Sequence, residues 1–281
     1  MRQWWHHQSR RWSYAVRSLY SYSLRTVFGL GRGPKSKIFP FALGGILLIV
    51  AVVAAAVKAR LNVAIPPLEY ANFPGTLSFL LMLFVATAAP ELASRDLRNK
   101  VLPLYFSRPI GRDDYVLAQL GALITGVFLL LAVPELVMFL GGAFSAGSAS
   151  GIWGEFTDLV PGLIVSLIFA VVLSAVALLV SSLSSRRAIA AGAVVALFLV
   201  TTPIGAVLQV TGSGATRQLS GLTSITGILD GLRAWLFGGS ASGSGSPADI
   251  GPYGPAYAAA AVILVGLCTA LLVSRYRKVA S

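Results

Sequence analysis

Histidine and cysteine are almost missing from this chain. Of 281 residues, two are histidine (His6 and His7) and one is cysteine (Cys268). One cysteine excludes an intrachain disulfide. Two adjacent histidines near the N-terminus, with Cys268 far off in an apolar run, fall short of the ligand set a protein zinc site takes. Charge is scarce as well: Asp, Glu, Lys and Arg make up 11% of the chain, ten acids against 22 bases. Within the apolar runs the only acid is Glu135, with no histidine near it in sequence, so an intramembrane protease lacks its paired acids, dyad or metal cluster. A phosphate-cradling loop is also missing. In GLGRGPKS (residues 29–36) Pro34 stands between the last glycine and Lys35, which removes the Gly-Lys-Ser/Thr step, and no strand precedes it. That segment reads as a flexible joint. The chain is therefore expected to be no enzyme by itself, with no catalytic residue, no metal and no cofactor of its own.

What fills the chain is apolar sequence. Hydrophobic residues are 56% of it, and the mean hydropathy is +0.78. Several uncharged runs approach or exceed the ~20 residues a helix needs to cross a bilayer, and the alternating ~10-residue pattern of a membrane barrel does not occur. The fold class predicted is an all-α polytopic membrane protein with six transmembrane helices, at 39–57, 73–90, 115–143, 159–185, 188–211 and 253–274. Between the fourth and fifth, SSLSSRRA with Arg186 and Arg187 reads as a tight turn joining antiparallel neighbours. A secretory signal is not expected, because the first apolar run begins near Phe39 behind a long basic segment. In SRRW (residues 9–12) the twin arginines lack the apolar stretch that should follow closely.

The net charge is +12. The cations flank apolar runs, so membrane orientation explains them better than nucleic-acid binding does. With the N-terminus inside, segments 1–38, 91–114, 186–187 and 275–281 hold 8, 5, 2 and 3 cations, 18 of the 22. Lys58, Arg60, Arg217 and Arg233 remain outside. The positive-inside rule thus predicts a multi-pass protein of the cell membrane with both termini cytoplasmic. Residues 1–38 form the N-terminal segment: Trp5, Trp12, Val16, Leu19, Tyr20 and Val27 fall near one helix face, and Arg10, Arg17, Ser21 and Arg25 on another, as in an interfacial helix. Residues 39–274 form the membrane domain and 275–281 a cytoplasmic tail. In the longest outer loop, Leu222, Ile225, Leu229, Leu232 and Leu236 recur at steps of three and four, a short amphipathic helix dipping into the outer leaflet. GGSASGSGSP (residues 238–247) reads as a linker.

Glu135 follows Pro134 inside the third run. An intramembrane acid is costly and by default a functional candidate, so it could line a polar cavity or hold a cation or proton. The alternative is an acid near the outer end of its helix, about 30 Å from Tyr115 by helix rise, reaching water or protonated against a carbonyl that Pro134 frees. That depth favours the alternative.

The stretch PELASRDLRNKVLPLYFSRPIGRDDY (residues 90–115) interrupts this apolar chain with nine charges: Glu91, Arg95, Asp96, Arg98, Lys100, Arg108, Arg112, Asp113 and Asp114. Proline suits a first helical turn and Glu91 suits that end. Leu92, Ala93, Leu97, Val101 and Leu104 make an apolar stripe. Glu91 with Arg95 and Asp96 with Lys100 are acid-before-base pairs four apart. A helix is predicted from Pro90 to Pro103 on the cytoplasmic face, with Asp113 or Asp114 capping the next span. A lipid anchor would be mostly basic; alternating signs favour a protein surface with patterned charge of its own.

This segment resembles the region between spans two and three of ABC-2-type permeases, the membrane subunits of one class of ATP-binding-cassette transporters. Their pattern is a Glu-led cytoplasmic helix, a leucine/proline step, an aromatic, S-R-P, then Y-x-x-x-K. Glu91, LPLYFSRP and Tyr115 match; Gln119 stands where lysine is common. Six spans, an interfacial N-terminal helix and short outer helices before the last span extend the likeness, though only this motif is specific. The resemblance implies an exporter subunit that works as a homodimer or with a similar permease, in the lipid bilayer, coupled to a cytosolic ATP-binding-cassette ATPase. ATP and magnesium would be bound by that partner. The coupling residues implied are Glu91, Arg95, Asp96, Arg98, Lys100, Arg108 and Arg112, with Arg186 and Arg187 as a second cytoplasmic contact. Two rivals stand beside it: a secondary transporter or channel acting alone, which would want several polar mid-membrane positions, and a non-transporting membrane anchor for an ATPase.

Overall fold

In a lipid interior the backbone has no partner but itself, so long uncharged runs become helices. The computed structural model describes residues 16–31, 33–61, 68–98, 111–238 and 250–279, and among these there is no strand. An N-terminal helix, α1, covers residues 16–27. There follow α2 (Pro34–Leu61), a single turn α3 (Phe73–Thr76), α4 (Ser78–Arg98), α5 (Arg112–Ser145), α6 (Ala149–Ser182), α7 (Arg187–Thr211), the short α8 (Ala215–Leu219), α9 (Ile225–Phe237) and α10 (Gly254–Val279). Five stretches are long and apolar enough to cross a membrane: Ser36–Arg60, Asp113–Ser145, Ala149–Ser182, Arg187–Thr211 and Gly251–Arg277.

The second of the six expected spans differs. The run 73–90 is broken at Leu77 (φ −101°, ψ 15°), which separates α3 from α4, and the apolar part of α4 is the shorter segment Ser78–Ala93. Pro90 does not begin a helix as expected; it lies inside α4, which continues to Arg98. A proline inside a helix forfeits one backbone hydrogen bond, a loss that neighbouring helices, Ser/Thr side chains and small backbone adjustments make up in membrane helices. Pro40, Pro134, Pro161 and Pro203 lie inside α2, α5, α6 and α7 in the same way. The Oγ1 of Thr87 donates to the Phe84 carbonyl (2.9 Å) in the turn before Pro90. The fourth expected span also starts too late. Expected from 159, α6 begins ten residues earlier and runs through Glu155 and Asp158; it is capped by Ser148, whose hydroxyl accepts the Gly151 N–H (3.1 Å).

α5 and α6, each 34 residues and so about 50 Å long, pack along each other at the centre. Leu123, Val127 and Leu131 of α5 and Phe169, Leu173 and Leu178 of α6 are fully buried there with Leu81, Phe84 and Val85 of α4. α2 packs on α5 through Leu43, Leu47, Ala51 and Ala54, a stripe at steps of four and three, and leaves Ile46, Ile49, Val52 and Val53 exposed. α10 buries Tyr257, Ala261, Cys268, Leu272 and Tyr276 and exposes Val262, Ile263, Leu267 and Leu271. Helices apolar on both their packed and outward faces suit a lipid surround.

In α1, Leu19 and Val27 are buried while Arg17, Ser21 and Arg25 face outward, the amphipathic split expected; Trp5, Arg10 and Trp12 lie outside the described residues. This helix packs against α5 in addition to presenting a polar face. The Tyr20 hydroxyl donates to Thr125 Oγ1 (2.8 Å), and Gly126 is where Val27 comes closest: a Cβ there would stand 2.6 Å from Val27 Cγ1. The expected joint follows. Gly29 takes φ +67°, and its N–H closes onto the Thr26 carbonyl (3.0 Å) before α2 begins.

Candidate functional site

Alternate threading brings the described parts of the segments grouped by the cation count to one end of the bundle. At this near end Glu91 of α4 forms an ion pair with Arg187, the first residue of α7. The Glu91 side chain is nearly enclosed, that of Arg187 exposed. A cavity of about 100 Å³ lies beside them, bordered by Thr26, Gly29, Ser36 and Thr87, so α1, the joint, α2, α4 and α7 all converge on Glu91. Next to it, buried Gln119 of α5 donates from Nε2 to the Leu92 carbonyl (3.2 Å) and to the Tyr115 hydroxyl (2.7 Å). The residue that departs from the resembled pattern thus ties α5 to the turn carrying Glu91. Tyr115 in turn lies against Tyr276 of α10, ring centroids 5.8 Å apart.

The cap of α5 differs from expectation in detail. Gly111 is the capping residue, and Asp114 accepts its N–H (3.2 Å). Asp113 instead accepts from Arg277 of α10, through Nε at 3.0 Å and through Nη2. Arg275 Nη2 donates to the Leu183 carbonyl (3.3 Å) at the turn before α7. Of the other expected contact residues, Arg186 is exposed and precedes α7. Arg95, Asp96 and Arg98 fall in the last turns of α4, and Arg112 opens α5. Lys100 and Arg108, with the end of the helix expected to reach Pro103, lie outside the described residues.

Glu135 does not reach water. It is fully buried, and its Oε1 accepts the Ser166 hydroxyl of α6 at 2.5 Å. Its Oε2 has no hydrogen-bond partner among the described residues. The reason is the length of α5 and α6: both run on past this level, and α6 covers the carboxylate.

Sequence reasoning missed a polar group at the far end. Glu155 of α6 accepts from Lys58 Nζ at the end of α2 (2.5 Å) and from the Tyr70 hydroxyl in the loop before α3 (2.9 Å). Lys58 Nζ also lies 5.9 Å from the centroid of the Tyr70 ring. Burial first, then the hydrogen bond to Glu155 and its charge, hold the Tyr70 hydroxyl far above the ordinary tyrosine range. Beside this group is a cavity of about 360 Å³. A second buried polar group adjoins α9: Arg233 donates from Nη1 to Asn72 Oδ1, and Asp230, one turn earlier, is buried with it. Burial pulls the Arg233 guanidinium down from its usual range, and the Asp230 charge offsets part of that. The one available signal was Glu155 and Asp158 three apart, a spacing that places both on one helix face. No protein-family model matches the chain, and no curated protein matches it.

Proposed function

We propose that this chain is the permease subunit of an ABC-2-type, ATP-driven exporter. In this reading it resides in the plasma membrane with both termini cytoplasmic, pairs with a second permease, and is driven through α4 by a cytosolic ATPase that binds ATP and magnesium. The observation that carries the reading is the match of Glu91, LPLYFSRP and Tyr115 to the family's coupling segment. Two structural features support it. α4 is unbroken from Ser78 to Arg98, so force applied near its end acts on the same rigid rod that packs against α6 and α7. Glu91 and Arg187 meet at that end, linking the two cytoplasmic contacts that the resemblance implies.

The test is reconstitution. The purified chain should hydrolyse no ATP, should co-purify with a soluble ATPase from its native host, and should transport only with it. Glu91→Lys with Arg95→Glu should abolish transport while leaving the ATPase subunit competent alone. A swap variant, Glu91→Lys with Arg187→Glu, restores the internal pair with signs reversed. Full transport by that swap would show that Glu91 works through Arg187 and would remove its role at the ATPase. Full transport by the first variant would sink the coupling assignment.

A further inference from the structure

We propose that the far-end cavity binds an organic ammonium group carried on an apolar body. The inference is independent of ATPase coupling at the other end. At about 360 Å³ the cavity falls within the ~300–1,000 Å³ of small-molecule sites, which combine apolar walls with a few placed polar groups. Ala54, Met138, Pro161 and Phe237 supply apolar wall; Glu69 and Asp158 supply carboxylates. Lys58 is the one cation among the lining residues, and its charge is committed to Glu155. Neither Glu69 nor Asp158 has an ion-pair partner among the described residues.

Glu155 is held at both oxygens by Lys58 and Tyr70, so it balances the Lys58 charge. Arg60 is exposed near the same end and is not among the lining residues, and residues 61–67, LNVAIPP, bring no charge. Glu69 and Asp158, beside a lysine that Glu155 already balances, select a cation. The apolar wall of Ala54, Met138, Pro161 and Phe237 suits an organic body on that cation. The ammonium would sit between Glu69 and Asp158, with its apolar body against Met138 and Phe237. The same chemistry belongs to an ethanolamine lipid headgroup and to a soluble hydrophobic amine.

The full chain in dodecylmaltoside supplies its own reporters, Trp153 and Trp235, on α6 and α9 near the cavity. A dansyl-tagged trimethylammonium probe should show saturable energy transfer from tryptophan, and neutral dansylamide should bind about tenfold more weakly or not at all. Glu69→Gln with Asp158→Asn should weaken the cationic probe about tenfold, as expected for two exposed charges each worth up to ~1 kcal/mol, with helicity unchanged by circular dichroism. Asp113→Asn, at the other end, should leave binding as it was. Phosphatidylethanolamine added to the micelles, with phosphatidylglycerol as control, should displace the probe if the occupant is a headgroup; displacement by phenethylamine alone would assign a soluble amine. Equal binding of charged and neutral probes, no saturable transfer, or full binding by the double variant would overturn the site.

Discussion

Removing the Glu155 carboxylate should loosen the far end of the bundle by an amount that can be worked out contact by contact. It accepts two hydrogen bonds, from Lys58 Nζ at 2.5 Å and from Tyr70 at 2.9 Å. A hydrogen bond to a charged group contributes about 1.5–3 kcal/mol net. The Lys58 side chain is 39% exposed and that of Glu155 13%, so solvent screening reduces the ion pair to about 1 kcal/mol. The more sheltered Tyr70 bond keeps about 1–1.5 kcal/mol. Glu155→Ala should thus cost about 2–2.5 kcal/mol, and Glu155→Gln, which retains an acceptor for Tyr70, about 1 kcal/mol. With a melting shift of ~2–4 °C per kcal/mol for chains of this size class, the alanine variant should lose about 4–10 °C in detergent. Double-mutant cycles with Lys58→Met and Tyr70→Phe should each return about 1 kcal/mol of coupling. Tyr70 adds a pH signature. Folding holds its hydroxyl above the ordinary tyrosine range, so its contribution is complete below the unfolded value near pH 10 and is lost as pH rises from there toward the higher folded value. Tyr70→Phe should therefore lack that part of the alkaline loss of stability. Strictly additive variants, or an alkaline limb unchanged in Tyr70→Phe, would refute the reasoning.

At the other end, Asp113→Asn should leave the melting temperature unchanged, because the Arg277 side chain is 60% exposed and that of Asp113 46% and such pairs contribute little. Gly126→Val puts side-chain atoms where Val27 already stands, so α1 should come off α5; limited trypsin digestion should then cut at Arg17 and Arg25 at least several-fold faster, at an otherwise unchanged melting temperature. Ser166→Ala takes away the donor to buried Glu135 and should cost about 1–3 kcal/mol, the penalty for an unsatisfied buried group; in the Glu135→Leu background the same change should cost less than half as much, read as melting shifts of the two pairs.

The helices could be read from the chain because their cause is local: an uncharged run in a nonpolar solvent leaves the backbone one solution. Their ends could not, because a charge need not end a helix. Glu155 precedes the expected fourth span, yet its charge is answered by Lys58, 97 residues away in sequence, and the helix passes through it. Locality also limits the reading of Glu135. Counting from Tyr115 gave a depth but no knowledge of what covers that level, and the cover is Ser166 on a neighbouring helix. Pro90 was read as a helix start because the rule for soluble helices was applied where tertiary packing carries the turn instead. The near end shows the reach of a purely numerical argument. Counting cations put 91–114, 186–187 and 275–281 together on one face, and the ion pairs Glu91–Arg187 and Asp113–Arg277 join members of just these segments. A count assigns sides because orientation follows the Lys and Arg bias of the short segments flanking the spans. It names no partners, because pairing depends on distances that only the packed helices set, and for that reason the far-end cavity, drawn from α2, α5, α6, α9 and the loop before α3, left no contiguous trace in the sequence.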